Sequence, residues 1–212
     1  MATLDLQEQE QVDALKAWWK DNGKWVLVVL VLVVGGYAAM QGWKNYQAKQ
    51  STEAAVLFGE LMKQVASNDP KRITDAAAAV TSKYASSAYA PRAALVAAQA
   101  DIQAKDLAGA KTQLQWVIDH AAEDGLKNVA RLKLASVLLD EKNYADALKL
   151  VDAPHADAYA ALYAELKGDL LDAQGKGEEA RAAYQQAYNK TDLKSPYRNL
   201  IQMKLDALGG AK

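Results

Sequence analysis

Residues 165–190 read ELKGDLLDAQGKGEEARAAYQQAYNK. Gly175-Lys176-Gly177 splits this stretch into two helical halves, since glycines this close interrupt a helix. Gly168 and Ala180 stand twelve residues apart, one in each half, and Ala187 supplies the next small position. Leu171 follows the first anchor by three residues, and Tyr184 follows the second by four. Two antiparallel helices approach closely only where side chains are small, and larger apolar residues then fill the gaps beside the contact. This stretch therefore predicts a tight helix pair.

The same spacing recurs upstream. Ala98 pairs with Ala110 and Ala135 with Ala147, so successive registers lie 37 and then 33 residues apart. Leu138 repeats the position of Leu171, while Leu114 and Val151 repeat that of Tyr184. Turns fall at Lys105-Asp106 and Lys142-Asn143. A period near 34 residues with helix pairs marks a stacked array, and the spacing resembles tetratricopeptide repeats. The first pair departs from that pattern with Asp101, where a tyrosine or leucine is usual. The second has Pro154 at its late small position, so its second helix should end early. The expected units are about 91–120, 128–154 and 161–190. Asn68-Asp69-Pro70 predicts a helix start with Asp69 as cap and Pro70 at the first position. It separates helices over 45–67 and 70–84, a degenerate pair. Ser195-Pro196 opens a final helix over 195–208 that caps the array, and Gly209-Gly210 ends it.

Further towards the N-terminus, residues 25–43 read WVLVVLVLVVGGYAAMQGW, without one charge between Lys24 and Lys44. As a helix these 19 residues span roughly 28 Å, close to the hydrocarbon thickness of a bilayer. Trp25, Tyr37 and Trp43 suit the lipid headgroup level, and the flanking lysines can reach water. The alternative is a cleaved signal peptide ending near Gly36-Tyr37-Ala38, but the 24 residues ahead, with five acids against three lysines, do not resemble a short positive leader. Residues 5–20 predict a short amphipathic helix with Leu4, Val12, Leu15, Trp18 and Trp19 as its apolar residues, and Asn22-Gly23 a break after it. Three lysines before the span (Lys16, Lys20, Lys24) against two after it (Lys44, Lys49) favour, weakly, an N-terminus in the cytoplasm. The chain thus divides into a cytoplasmic segment (1–24), a transmembrane helix (25–43) and a tetratricopeptide-like domain (44–212). The fold class is all-α: one transmembrane helix, then a helical solenoid with a C-terminal capping helix.

Composition narrows the chemistry. The net charge is −1, which offers nucleic acid no basic attraction. With no cysteine and two histidines 35 residues apart, no metal or cofactor site and no catalytic constellation is expected. Binding is the expected activity. In tetratricopeptide arrays the first helices line a concave groove. The matching positions here are Arg92, Leu95, Gln99 and Ile102, then Val129, Leu132, Ser136 and Leu139, then Leu162, Glu165, Asp169 and Asp172. Such a groove is apolar in the middle and acidic at its last unit, and would take an apolar segment with a basic end. Several of these positions could instead face the next repeat or the final helix. Outer-face tyrosines and leucines could also make a homodimer.

A closer resemblance comes from Glu10-Gln11-Val12, Lys16, Trp18-Trp19 and Asn22-Gly23-Lys24 before the span, with Gln202-Met203-Lys204-Leu205 near the end. These blocks are similar to the YfgM-like family of bacterial inner-membrane proteins, ancillary subunits of the SecYEG translocon. The tryptophan pair replaces phenylalanine-type aromatics, a mild departure. The resemblance implies an N-terminus in the cytoplasm and a repeat domain in the periplasm. It also implies association with the translocon and with a membrane-anchored periplasmic chaperone of the peptidyl-prolyl isomerase type, helping to pass secreted proteins to chaperones, and no enzyme activity. The competing reading is a regulatory adaptor that binds a cytoplasmic signalling protein through residues 1–20.

Overall fold

The computed structural model describes residues 6–209. They fall into two units that divide after Gln50.

The first unit is the leading part of one long helix, α1 (Leu6–Val65). The helix runs through Asn22-Gly23, where the sequence predicts a break. The reason is local. The Trp19 indole lies against Gly23, where a Cβ would stand 3.1 Å from the ring, and Asn22 Nδ2 donates to the Trp18 carbonyl at 3.1 Å. Glycine here seats an indole instead of turning the chain. Valines and leucines 27–34 are all exposed, as are Trp25, Tyr37 and Trp43. Among the described residues this is the one helix long and apolar enough to cross a membrane. Val12, Leu15, Trp18 and Trp19 are exposed too, while Leu4 lies outside the described residues.

The second unit contains the last turns of α1 and then α2 (Pro70–Lys83), α3 (Tyr89–Gln103), α4 (Leu107–His120), α5 (Asp124–Asp140), α6 (Tyr144–Val151), α7 (Ala160–Asp172), α8 (Gly177–Lys190) and α9 (Tyr197–Ala207). Asp69 caps α2 as its sequence predicts, accepting from the Lys71 and Arg72 amides. Each of the three pairs α3–α4, α5–α6 and α7–α8 turns in the same way. Lys105, Lys142 and Gly175 take left-handed backbone conformations (φ 62°, 61° and 75°). The amide that follows each returns to a carbonyl five residues back: Asp106 to Asp101, Asn143 to Leu138 and Lys176 to Leu171. These closures satisfy carbonyls left open at a helix end.

The next helices start less evenly. Asp106 and Asn143 cap α4 and α6 through their side chains, but Lys176 gives α8 no side-chain cap. Lys176→Asn is therefore expected to stabilise the domain by about 1 kcal/mol, read as a higher urea midpoint in circular dichroism.

The anchor alanines 98, 110, 135, 147 and 180 are fully buried between their helices. Core packing falls into three clusters along the stack: Leu61, Ile73 and Val80 with the alanines of α3; Leu114, Leu134, Leu138, Tyr163 and Leu170 at the centre; and Leu171, Tyr184, Ile201 and Leu205 at the end. Helix α6 has only 8 residues, against 14 in α4 and α8, and stops three residues before Pro154.

Asp101 occupies the position that Leu138 and Leu171 hold in the other pairs, and it is buried. Thr74 of α2 donates to one carboxylate oxygen at 3.0 Å, and the other oxygen has no partner. Burial raises its pKa; the Thr74 bond opposes this, and Asp106 adds to it. A carboxyl with a raised folded-state pKa destabilises the native state once pH exceeds its unfolded value. Asp101→Asn is thus expected to be more stable than the parent at pH 7. The difference should vanish as acid titration carries both states below the carboxyl's ordinary pKa, read by unfolding midpoints across pH.

Candidate protein-binding groove

The first helices α3, α5 and α7 touch in sequence, and the second helices α4, α6 and α8 meet one another less closely. The row α3, α5 and α7 is thus the more closely packed one, and it is called the inner row below. All twelve groove positions nominated from sequence lie on these three helices.

Their surroundings differ. Arg92 is half-buried and pairs with Glu123 at 2.9 Å, across to the entry of α5. Gln99 accepts from Lys133 Nζ of α5 at 2.8 Å. Leu95, Ile102, Leu132 and Leu139 are half-buried and pack on the central cluster. Val129 is half-buried, whereas Ser136, Leu162 and Asp172 are exposed. The Ser136 hydroxyl donates to the Leu132 carbonyl at 3.0 Å. Between α5 and α7, the buried Tyr163 hydroxyl donates to Asn128 at 3.0 Å.

Glu165 and Asp169 are engaged by the final helix. Lys204 of α9 donates to both carboxylates at 2.6 Å, Tyr197 donates to Glu165, and Tyr184 donates to Asp169 at 2.7 Å. Burial and the bond to Asp169 push the Tyr184 pKa well above its ordinary value, so the phenol keeps its proton. Burial would lower the Lys204 pKa, but its bonds and charge contacts with Asp169 and Glu165 outweigh that and hold it above the usual lysine value. Of the nominated acids in α7, only Asp172 stays exposed.

At the opposite end the structure adds residues that the sequence pattern did not single out. Met62, Val65, Ile73, Val96 and Gln103 surround a cavity of about 260 Å³ beside Gln99. The last turns of α1 act there as the first helix of a further pair with α2. The i, i+3 spacing of Met62 and Val65 just before Asn68-Asp69-Pro70 was the available signal. It was masked because that helix runs on unbroken from the apolar span.

Stacked helix pairs with an inner row of mixed apolar and polar side chains define a helical-repeat scaffold. The tetratricopeptide repeat-like domain family matches residues 16–210. The ancillary SecYEG translocon subunit of Neisseria gonorrhoeae is 34% identical over 204 residues, covering 96% of this chain and 98% of that protein. The protein of the same description from Escherichia coli is 29% identical over 204 residues, covering 95% and 96%. That of Haemophilus influenzae is 26% identical over 203 residues, covering 96% and 98%. No solved structure matches. The chain belongs to the tetratricopeptide repeat-like family of ancillary SecYEG translocon subunits.

Proposed function

We propose that this protein is a scaffold or co-chaperone, anchored in the bacterial inner membrane by residues 25–43, that associates with the SecYEG translocon and helps pass secreted proteins to periplasmic chaperones. The observation that carries the reading is similarity to ancillary translocon subunits over nearly the whole chain, anchor and repeats together. On this reading the N-terminus lies in the cytoplasm and the repeat domain in the periplasm. A membrane-anchored chaperone of the peptidyl-prolyl isomerase type is the partner, and the inner row of α3, α5 and α7 receives it or a client. The protein acts by binding and not by catalysis.

Photo-crosslinkers at Ser136 and Leu162 in membrane vesicles test this. Adducts with translocon subunits, the isomerase-type chaperone or secreted chains are expected. Recovery of none of them from a strain in which the protein works would overturn the reading. Protease added from the periplasmic face should cut within residues 51–212; cutting only from the cytoplasmic face would reverse the topology. Deleting residues 1–20 should leave translocon adducts intact, whereas loss of a signalling output with those adducts retained would favour a cytoplasmic adaptor.

A further inference from the structure

The second helices carry a groove that the inner row does not share. It runs between α4 and α6 over a floor of Leu134 and Leu138 from α5, and encloses about 580 Å³. Its origin is the shortness of α6. Where α4 and α8 each continue for 14 residues, α6 stops after 8, so its later turns are not there to stand beside the second half of α4. One wall is therefore formed by Trp116 and His120. Their rings are stacked at 4.5 Å and 9°, and His120 Nδ1 donates to the Trp116 carbonyl at 2.9 Å. This pairing holds the indole in place before any ligand arrives. Leu134 and Leu138 belong to the central core cluster, so an apolar side chain entering the groove would extend that core.

The rim is acidic. Lys111 is its one lysine, and both oxygens of Glu141 hold it at 2.7 Å. Asp119 accepts only from the Gln115 amide, at 2.9 Å, and has no cationic partner among the described residues. Asp146 at the far edge is paired with Lys149 at 2.8 Å, which leaves Asp119 as the rim carboxylate without a cation. A desolvated apolar floor with uncompensated carboxylate at the rim favours a ligand that is apolar in the middle and cationic beside it.

We infer that this outer groove is a docking site for a polypeptide segment carrying a large apolar side chain next to a lysine or arginine. The inference stands on the groove alone and does not need the translocon reading. It gives the scaffold a second face, so that one partner on the inner row and another on the outer could be held together.

The sequence makes the test direct. Of the five tryptophans, only Trp116 lies outside residues 18–43. With Trp18, Trp19, Trp25 and Trp43 changed to Phe, the full chain in lipid nanodiscs reports the groove through a single indole. The probes are the acetylated peptides Gly-Lys-Leu-Leu-Lys-Gly, Gly-Glu-Leu-Leu-Glu-Gly and Gly-Lys-Ser-Ser-Lys-Gly. The lysine–leucine peptide should shift Trp116 emission saturably. The other two should bind at least about fivefold more weakly. Thr112→Arg, an exposed change that places a cation in the groove, should weaken the first peptide by a similar factor and leave the far-ultraviolet circular dichroism unchanged. Asp119→Asn should narrow the gap between lysine and glutamate peptides. Equal binding of all three peptides, no saturable shift, or an unchanged affinity in Thr112→Arg would overturn the proposal. So would a shift produced equally by empty lipid, which would make the groove a lipid contact.

Discussion

Gly168→Ala is expected to cost the repeat domain about 2 kcal/mol. An added Cβ would stand 2.4–2.9 Å from three atoms of the Tyr184 ring. Overpacking of this kind typically costs about 1–3 kcal/mol, and the ring has little room to yield. Its hydroxyl is held by Asp169 at 2.7 Å, and Lys204 Nζ sits 5.5 Å from the ring centroid. Alanine would return up to about 1 kcal/mol through helix propensity, which the clash exceeds. Valine at the same site should separate α7 from α8 altogether. The control is Gly59→Ala in the last turns of α1, where nothing lies within 4 Å of the added Cβ. That change should stabilise by up to about 1 kcal/mol. Urea unfolding of the full chain, followed by helical circular dichroism in mild micelles, reads both. A Gly168→Ala midpoint at or above the parent value would show that Tyr184 moves aside freely.

The same contact explains why the pairs were legible in the sequence. Small residues twelve apart followed by Leu114, Val151 or Tyr184 form a short-range pattern, and each of those three larger residues is buried as the spacing requires. The early end of α6 before Pro154 and the cap at Asp69 are likewise local chemistry. What the pattern missed depends on partners far along the chain or on context. Lys204 reaches Glu165 across 39 residues, and no periodicity announces that, so two carboxylates read as part of an acidic surface when a lysine covers them. Asn22-Gly23 has the local propensity of a break. The helix continues because Asn22 turns its amide onto the Trp18 carbonyl and the indole of Trp19 occupies the space that glycine leaves. The outer groove was invisible for a third reason. It follows from comparing three helix lengths, and only the assembled stack shows which neighbour a missing turn would have covered.

Lys204→Met should release the final helix. Methionine keeps the length and much of the packing of lysine, so the change isolates the charge. It leaves Glu165 and Asp169 facing each other's charge at the α7–α9 contact with only Tyr197 and Tyr184 as donors. Removing one partner of a buried ion pair costs about 3–5 kcal/mol. Lys204 and Asp169 each keep 27% side-chain exposure, so the expected loss here is nearer about 2–3 kcal/mol. The pH dependence separates charge from packing. In the parent the Lys204 pKa is raised, so its contribution is complete below the ordinary lysine pKa and is lost as pH rises through the raised value. In Lys204→Met the opposite holds: falling pH protonates the stranded carboxyls, and the variant should recover towards the parent in acid. The triple change Lys204→Met, Glu165→Gln, Asp169→Asn should regain most of the loss at neutral pH, because no charge is then left buried. Limited proteolysis is the most direct reading. The turn before α9 already presents Leu193 at 81% exposure, and a detached α9 should make cleavage there fast in the single variant and slow again in the triple one. Equal cleavage in all three proteins would mean that Ile201 and Leu205 hold α9 without help from the charges.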